Sequence, residues 1–365
     1  MDVQFLGAGG PAGWPQAGCR CASCLRAATA GRGRSPGGGV LVDGRLRIDP
    51  GRPPQPLRPT ARDGYLVEQV PGGWDITGPA GARLLVAAGP GAAPDPPAGT
   101  RPFDLVLLDL LDSAAQLGGL RARGLVRADT LVAALCADHR ISSEQELARR
   151  CRFWRAIVPT DGTVLSTSEP AAGGSVVIAH RTLVLGGARS GKSREAELRL
   201  AAEPQVTYLA AGPWPDGARP GSPGGPDAEW AQRVAAHQAA RPAWWPTVES
   251  TDVAGALRRL RGAVLIDGIG TWLAAVMTEA GAWQQPAAAD ASSRIAARVD
   301  ELIATWRQAS AQVVAVSDQV GSGVVPPTSA GRQFRDQLGW LNQRLAAESE
   351  EAVLVVAGRV LSLPT

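Results

Sequence analysis

Several residue types and patterns are scarce in this chain, and each shortage excludes a class of protein. No apolar run reaches the ~18 residues that a membrane-spanning helix needs, so we expect no integral membrane segment. The net charge is only +3, and no basic run is interleaved with aromatic residues, which argues against a nucleic-acid partner. The first residues, MDVQFLG, lack the basic and apolar regions of a signal peptide. We therefore expect a cytoplasmic protein.

Cysteine and lysine are also scarce. The five cysteines are an odd number, and Cys19, Cys21 and Cys24 fall within six residues. This spacing is typical of metal binding in a reducing compartment rather than of a disulfide framework. Lys192 is the single lysine among 37 Lys and Arg residues. Because arginine serves at every other basic position, we expect Lys192 to lie where arginine would not function.

The length of 365 residues allows two domains, since single cores rarely grow past ~250 residues. In the second half, apolar strands alternate with helical segments, which predicts a parallel sheet covered on both faces. The predicted strands are 182–185, 206–210, 263–266, 313–317 and 352–356, and the predicted helices are 193–202, 228–240, 272–279, 292–308 and 331–349. The first half has strand-like pieces at 3–6, 40–42, 46–48, 84–87 and 130–136 and a helical pattern at 144–154. We predict domains over 1–174 and 181–365.

A glycine-rich segment between a predicted strand and a predicted helix fits the phosphate-binding pattern G-x-x-x-x-G-K-[ST]. Its residues are Gly186, Gly187, Ala188, Arg189, Ser190, Gly191, Lys192 and Ser193. Glycines allow successive backbone N–H groups to face phosphates, and the helix N-terminus adds partial positive charge. Lys192 supplies a compact cation where a planar guanidinium would fit poorly. The segment predicts a P-loop that binds ATP or GTP.

Magnesium, which accompanies such nucleotides, requires oxygen ligands. The Ser193 hydroxyl is one predicted ligand, and Asp267, directly after the apolar segment 263–266, is the other. On its own, an aspartate at a strand end is also compatible with a turn cap. The P-loop is what favours the metal-binding interpretation.

A histidine with two arginine neighbours is a candidate nucleophile. Arg233, His237 and Arg241 are spaced four residues apart, so on a helix they would share one face. Two guanidinium groups beside an imidazole would lower its pKa and keep it neutral and nucleophilic near pH 7. The same spacing also occurs on ordinary solvent-facing helices, so these residues alone leave both interpretations open.

The second half, over about residues 181–365, resembles the bifunctional adenosylcobinamide kinase/adenosylcobinamide-phosphate guanylyltransferase family of cobalamin biosynthesis. The resemblance is carried by 186–193, Arg233, His237, Arg241, Pro242, Trp245, Asp267, Val320-Gly321-Ser322-Gly323-Val324-Val325-Pro326, Phe334-Arg335-Asp336 and Leu341-Asn342-Gln343-Arg344-Leu345-Ala346. It implies an α/β fold of the P-loop NTPase type, with flanking helices on a parallel sheet. It also implies a homo-oligomer, expected to be a trimer.

The resemblance implies two reactions, with adenosylcobinamide and adenosylcobinamide phosphate as substrates. The corrinoid hydroxyl takes the γ-phosphoryl group of ATP or GTP; GTP then donates GMP to His237, and the phosphorylated corrinoid attacks the phosphoramidate to give adenosylcobinamide-GDP. The implied catalytic residues are His237, Lys192 and Asp267. Beyond the P-loop, the implied nucleotide contacts are Ala211, Gly212, Pro213, Gln238, Ala239, Ala240, Arg241, Glu249 and Asp267.

The chain departs from the family pattern at several positions. Asp318-Gln319 stands where the family usually has Asn-Glu, so the acid is moved by one position, and Gly268 and Gly270 replace a Cys and a Thr. Two alternatives therefore stay open. One is a kinase that has lost guanylyl transfer, and the other is a nucleotide-gated binding module without corrinoid turnover.

The first half resembles the metallo-β-lactamase superfamily branch of phosphodiesterase-like and coenzyme-synthesis proteins, which implies a shortened α+β domain of the αββα type. The resemblance is carried by Phe5-Leu6-Gly7-Ala8-Gly9, 13–21, Leu41-Val42-Asp43, Ile48-Asp49-Pro50-Gly51, Asp138-His139-Arg140 and Pro159-Thr160-Asp161-Gly162-Thr163.

The catalytic zinc centre of that branch requires a His-x-His-x-Asp-His run, which this half lacks, and Cys136 stands about where a metal histidine would be. We therefore expect no hydrolase centre. Cys19, Cys21 and Cys24, with His139 as a fourth ligand, predict a structural zinc site. The alternative is three reduced cysteines in a turn-rich segment.

Overall fold

A computed structural model describes residues 1–50, 52–56, 64–89, 99–168, 180–212, 241–284 and 286–364. The chain divides into two compact units. The N-terminal unit comprises Met1–Ile178 with Ala201–Pro204, and the C-terminal unit comprises Ala179–Leu200 with Gln205–Thr365.

Two five-stranded sheets form the N-terminal unit. The first has the order β10-β1-β2-β3-β4 and is antiparallel throughout. Its strands are β1 (Asp2–Phe5), β2 (Val40–Val42), β3 (Leu46–Ile48), β4 (Gln55–Pro56) and β10 (Val164–Ser166). The second has the order β5-β6-β7-β8-β9, with parallel pairing only between β7, β8 and β9. Its strands are β5 (Leu66–Val70), β6 (Gly73–Thr77), β7 (Arg83–Ala87), β8 (Leu105–Leu108) and β9 (Leu131–Ala134).

One apolar cluster joins these two sheets. It contains Val3, Phe5 and Val40 from the first sheet together with Leu84, Val86 and Leu105 from the second, all with no exposed surface. The helices of this unit are α1 (Ala22–Thr29), α2 (Leu110–Ala122) and α3 (Glu144–Phe153). Burial of large apolar side chains between facing sheets is the main stabilising contribution, at about 25 cal/mol per Å² of apolar surface removed from water.

The C-terminal unit is built on a seven-stranded sheet of order β13-β12-β14-β15-β11-β16-β17. Its strands are β11 (Arg181–Gly186), β12 (Val206–Ala210), β13 (Thr247–Glu249), β14 (Ala263–Asp267), β15 (Gln312–Asp318), β16 (Glu351–Val356) and β17 (Arg359–Leu363). Its helices are α4 (Lys192–Leu200), α5 (Val253–Arg259), α6 (Ile269–Glu279), α7 (Ala291–Arg307) and α8 (Ser329–Ala347).

Both faces of this sheet are buried. On β14, Val264 and Ile266 belong to one apolar cluster and Leu265 belongs to another, because successive side chains point to opposite faces. A strand covered on both sides must be apolar at every position, which explains the continuous apolar runs in the sequence. All strands from β11 to β16 pair in parallel, so their carboxyl ends meet at one edge.

The five strands and four of the five helices predicted for the second half are confirmed, each within three residues at its ends. The remaining predicted helix, 228–240, lies outside the described residues. The sheet differs from the prediction at one edge, where β17 pairs antiparallel with β16. The connecting turn, Ala357 and Gly358, has positive φ at both residues, as a tight two-residue hairpin requires. The short edge strand β13 was also not predicted.

Among the described residues, no helix combines the length and the apolar character needed to cross a membrane.

Candidate active site

The predicted P-loop lies at the carboxyl edge of the parallel sheet, after β11, which is flanked by β15 and β16. β11 ends at Gly186 and α4 begins at Lys192, so residues 187–191 form the turn between them. The backbone φ is positive at Arg189 (56°) and at Gly191 (97°). Left-handed residues within such a turn direct backbone N–H groups toward a common centre, which favours binding of an anion.

Glycine is required at the point where this turn leaves the sheet. A Cβ atom on Gly186 would lie 2.3 Å from the Ser190 Oγ atom and 2.9 Å from the Val355 carbonyl oxygen. No side chain fits in that space. The backbone of the P-loop therefore packs directly against the neighbouring strand.

The single lysine, at the start of α4, forms an ion pair with the aspartate at the end of β15. Lys192 Nζ lies 2.8 Å from Asp318 Oδ1 and donates a hydrogen bond to the Gly187 carbonyl at 3.2 Å. Asp318 is in register with Gly186, so the sheet itself brings this carboxylate to the base of the P-loop. The Asp318 side chain is 41% exposed, so a phosphate arriving from solvent can reach the pair.

A buried asparagine supports the end of β15. The Ser317 hydroxyl donates to Asn342 Oδ1 at 2.6 Å, and Asn342 Nδ2 donates to the Asp318 carbonyl at 3.1 Å. Asn342 belongs to the segment 341–346 of α8, one of the motifs that carry the family resemblance. Its position accounts for that motif physically, because it fixes the strand end that carries Asp318.

Asp267, the predicted magnesium ligand, ends β14 on the same edge. It accepts a hydrogen bond at Oδ2 from the hydroxyl of Tyr208, which lies on the adjacent strand β12. The Arg241 guanidinium carbon lies 3.5 Å from the centre of the Tyr208 ring. Tyr208 was not predicted as a site residue. The sequence offers no signal for it, because the strand register that makes Asp267 its diagonal neighbour is a property of the folded sheet.

Glu197, on the second turn of α4, was also missed. Burial, followed by the negative charge of Asp267, raises the pKa of this carboxyl group to about 7. Its Oε1 atom is buried and has no hydrogen-bond partner among the described residues. Glu197 is four residues after Ser193 on the helix, so both side chains lie on one face. The site therefore holds a carboxyl group with one buried oxygen that accepts no hydrogen bond from the described residues.

Other predicted nucleotide contacts lie near this edge in different environments. Ala211 is fully buried, and its N–H donates to the Asp267 carbonyl at 3.1 Å. A Cβ atom on Gly212 would lie 2.4 Å from Thr271 Cγ2, so the backbone there approaches α6 closely. Glu249 is exposed at the end of β13. Pro213, Arg233, His237, Gln238, Ala239 and Ala240 lie outside the described residues.

Residues 182–363 match the protein family described as cobinamide kinase / cobinamide phosphate guanyltransferase. The bifunctional adenosylcobalamin biosynthesis protein CobU of Salmonella typhimurium is 38% identical over 184 residues, which are 48% of this chain and 95% of that protein. The chain belongs to this family.

Two further members of the cobinamide kinase / cobinamide phosphate guanyltransferase family give the same result. The Escherichia coli bifunctional adenosylcobalamin biosynthesis protein CobU is 35% identical over 183 residues, which cover 48% of this chain and 95% of that protein. The Pseudomonas aeruginosa bifunctional adenosylcobalamin biosynthesis protein CobP is 33% identical over 189 residues, covering 50% and 96%. The family region contains the described residues of the carboxyl-edge site and begins after Ile178, where the main segment of the N-terminal unit ends.

The N-terminal unit brings together most of the predicted zinc ligands. One ligand atom each from Cys19, Cys24 and His139 lies within 4.8 Å of the other two. Cys21, the remaining predicted ligand, is not in that group; its Sγ atom accepts a hydrogen bond from the Cys24 N–H at 3.4 Å, which lowers the pKa of its thiol. Burial raises the pKa of Cys24 to about 11. Two sulfurs and an imidazole nitrogen are ligands that zinc prefers.

A single arginine closes the acidic cluster of this unit. The Arg140 guanidinium lies 2.8 Å from Asp109 Oδ2 and 2.9 Å from Asp138 Oδ1, and it also contacts Asp112. Asp109 directly follows β8, as a metal-binding or catalytic acid often does. Here the arginine takes the position of a cation among the carboxylates, and the guanidinium also donates to the Cys136 carbonyl at 3.1 Å.

Proposed function

We propose that the C-terminal unit assembles the nucleotide loop of cobalamin by two successive transfers to a corrinoid. In the first, adenosylcobinamide is phosphorylated by ATP or GTP. In the second, GMP is transferred from GTP to give adenosylcobinamide-GDP. The observation that carries the proposal is the Lys192–Asp318 pair at the mouth of a P-loop, inside a region that belongs to the family throughout.

In the kinase step, the chain's own residues bind and neutralise phosphate. The N–H groups of the loop 187–191 and the N-terminus of α4 face the β and γ phosphates. Lys192 exchanges its contact with Asp318 for a phosphate oxygen, which places its charge where negative charge develops during transfer. The corrinoid hydroxyl oxygen attacks the γ phosphorus, the bond to the β-phosphate oxygen breaks, and the hydroxyl proton is lost to a base.

In the second step, a nitrogen of His237 attacks the α phosphorus of GTP, and pyrophosphate leaves. The phosphate of adenosylcobinamide phosphate then displaces the histidine, which releases adenosylcobinamide-GDP and the free imidazole. Arg241, four positions after His237, supplies a cation beside the site. Glu249, Ala211 and Gly212 are proposed to contact the nucleotide from the ends of β13 and β12, together with Pro213 and residues 238–240.

Magnesium fits the oxygen-rich edge of the sheet. The proposed ligands are the Ser193 hydroxyl and the Asp267 carboxylate, and the unpartnered Oε1 atom of Glu197 is a further oxygen close to Asp267. Bound there, the ion would offset phosphate charge. The Asp267 carboxylate also accepts the hydrogen bond from the Tyr208 hydroxyl.

The decisive experiment is incubation with α-labelled GTP and magnesium, followed by a denaturing gel and peptide mapping. We expect acid-labile, alkali-stable label on the peptide that contains His237 and none in His237→Ala. His180→Ala is the matched control, because His180 binds the Ala309 carbonyl at 2.6 Å and lies outside the proposed site. Label that persists in His237→Ala would contradict the proposed intermediate.

The same reaction, supplied with adenosylcobinamide and analysed by chromatography, separates the alternatives. A phosphorylated corrinoid without labelled His237 would leave a kinase that has lost guanylyl transfer. Nucleotide binding without any corrinoid product would leave a nucleotide-gated binding module.

For the N-terminal unit, we propose a shortened domain of the metallo-β-lactamase type that lacks a hydrolase centre and binds structural zinc. Support comes from the two facing sheets and from the convergence of Cys19, Cys24 and His139, with Cys21 as the fourth proposed ligand. Metal analysis of the purified chain should give about one zinc per chain, and Cys24→Ser should lose it. Cys151→Ser is the control, because this buried cysteine is outside the cluster. Equal zinc in both variants would contradict the site.

We also propose, from the family resemblance, a homotrimer located in the cytoplasm. Light scattering should then give three times the chain mass of 37.8 kDa.

A further inference from the structure

Each of the chain's two tyrosines donates its hydroxyl hydrogen bond to an aspartate. In the N-terminal unit, Tyr65 Oη donates to Asp43 Oδ2 at 2.6 Å. In the C-terminal unit, Tyr208 donates to Asp267. The chemical group and its partner are the same, but only Tyr208 lies at the carboxyl edge that carries the P-loop. The two residues therefore form a natural pair for comparison.

The sheet register explains why Tyr208 reaches Asp267. Tyr208 pairs directly with Leu265 on β14, and Asp267 lies two residues further along the same strand, on the same face. A diagonal neighbour of this kind is within reach of a long aromatic side chain. The hydroxyl therefore meets the carboxylate just where β14 ends.

The ring of Tyr208 contacts Arg241, a second residue that is predicted to bind the nucleotide. The Arg241 guanidinium stacks on the ring, with its central carbon 3.5 Å from the ring centre. Tyr208 is only 7% exposed, and the apolar cluster around it includes Trp245, from the turn that begins at Pro242. A buried ring held between a strand and a turn has little freedom to move. The Tyr208 side chain therefore keeps a fixed position relative to both Asp267 and Arg241.

We propose that Tyr208 is a positioning residue of the nucleotide site: its hydroxyl orients the Asp267 carboxylate, and its ring holds the Arg241 guanidinium. This role rests on the proposed function of the site and adds to it a residue that acts on two ligands at once.

The two functions of Tyr208 can be separated by substitution. Tyr208→Phe removes the hydroxyl and keeps the ring, so it tests the contact with Asp267 alone. We expect the magnesium concentration for half-maximal turnover, and for half-maximal binding of a fluorescent GTP analogue, to rise about tenfold, as loss of one hydrogen bond to a charged group implies. Tyr208→Leu removes the ring as well, and we expect a further rise of about fivefold in the KM for GTP.

Tyr65→Phe is the matched control, because it deletes the same hydrogen bond in the other unit. It should change thermal stability as much as Tyr208→Phe does and leave the magnesium dependence unchanged. A second test combines Tyr208→Phe with Asp267→Ala. If the hydroxyl acts through Asp267, the double variant should have the same magnesium dependence of GTP binding as Asp267→Ala alone.

A wild-type magnesium dependence in folded Tyr208→Phe, or additive effects in the double variant, would overturn the proposal. Because binding of the GTP analogue is measured without corrinoid, the outcome does not depend on turnover. A shifted magnesium dependence in a protein that phosphorylates no corrinoid would support the positioning role and contradict the proposed function.

Discussion

The two units handle acidic side chains at strand ends in opposite ways. In the N-terminal unit, Asp109, Asp112 and Asp138 all contact Arg140, so one guanidinium fills the space between them. In the C-terminal unit, Lys192 forms an ion pair with Asp318, and the buried Oε1 of Glu197 has no hydrogen-bond partner among the residues that the structure describes. Both clusters follow buried parallel strands. An acidic cluster at such an edge therefore indicates a ligand site only where a counter-charge from the protein does not already complete it.

The largest expected effect comes from removing Lys192, the cation of the C-terminal acidic cluster. Lys192→Ala should lower kcat by about 10³-fold, because a preorganised charge beside the transferred phosphoryl group is lost. Lys192→Arg should recover little, since a planar guanidinium does not replace a compact ammonium group in the P-loop. Steady-state phosphorylation of adenosylcobinamide measures both. Near wild-type turnover in Lys192→Arg would show that the single lysine has no special role.

Removing Arg140, the cation of the N-terminal acidic cluster, should lower stability rather than activity. Arg140→Ala leaves three neighbouring carboxylates without their counter-charge and should lower the free energy of unfolding by about 2–3 kcal/mol. The measurement is denaturant unfolding with and without GTP, because bound nucleotide should stabilise only the unit that binds it.

The Arg140→Ala loss should appear in the transition that GTP does not shift, and turnover by the folded enzyme should be unchanged. A fall in kcat under conditions in which Arg140→Ala is fully folded would contradict the prediction. It would show that the N-terminal cluster also affects catalysis.

Substitution of Asp318 should perturb the C-terminal acidic cluster less than loss of Lys192 does. Asp318→Asn removes the charge that holds Lys192 at the strand end, and we expect kcat/KM to fall about tenfold because the lysine is no longer preorganised. Gln319→Ala is a suitable control at the neighbouring position. If Asp318→Asn were as active as the wild type, the ion pair would be a resting contact with no effect on catalysis.

Glu197 should make the stability of the C-terminal unit depend on pH. Its pKa is about 7 in the folded protein, compared with about 4.5 when unfolded, so the folded state binds more protons between these values. Stability therefore falls as pH rises from about 4.5 to about 7, and the full destabilisation is present above pH 7.

Glu197→Gln should accordingly raise the free energy of unfolding at pH 8 by about 1 kcal/mol, after allowance for solvent screening of a half-buried group, and should have little effect at pH 4.5. Thermal melts at the two pH values measure the difference. Equal increases in the free energy of unfolding at pH 8 and at pH 4.5 would show that removal of the Glu197 charge is not the cause.

The smallest effect is expected for an ion pair outside both clusters. Arg258 Nη1 lies 2.9 Å from Glu301 Oε1, with the side chains 54% and 40% exposed. Glu301→Gln should change the free energy of unfolding by about 0.3 kcal/mol or less, because solvent screens exposed pairs. A loss comparable to that of Arg140→Ala would mean that any ion pair stabilises the protein as much as the cluster of three carboxylates around Arg140 does.

The sequence by itself determined the P-loop, the five central strands and four of the helices that connect them. These features are local: a strand buried on both faces needs an apolar residue at every position, and the turn after Gly186 needs glycine and lysine within eight residues. The chemistry of the C-terminal half followed from ordered motifs. The edge strands β13 and β17 escaped prediction because they are short and partly exposed, so they lack a continuous apolar run.

Only the tertiary structure decided which side chains meet. Lys192 and Asp318 are 126 positions apart, Tyr208 and Asp267 are 59 apart, and Cys24 and His139 are 115 apart in the sequence. Strand order and register set these encounters, and neither is encoded in any one segment. The same reason explains why the role of Arg140 could not be predicted from the sequence. Its role depends on three carboxylates that the fold brings to one point.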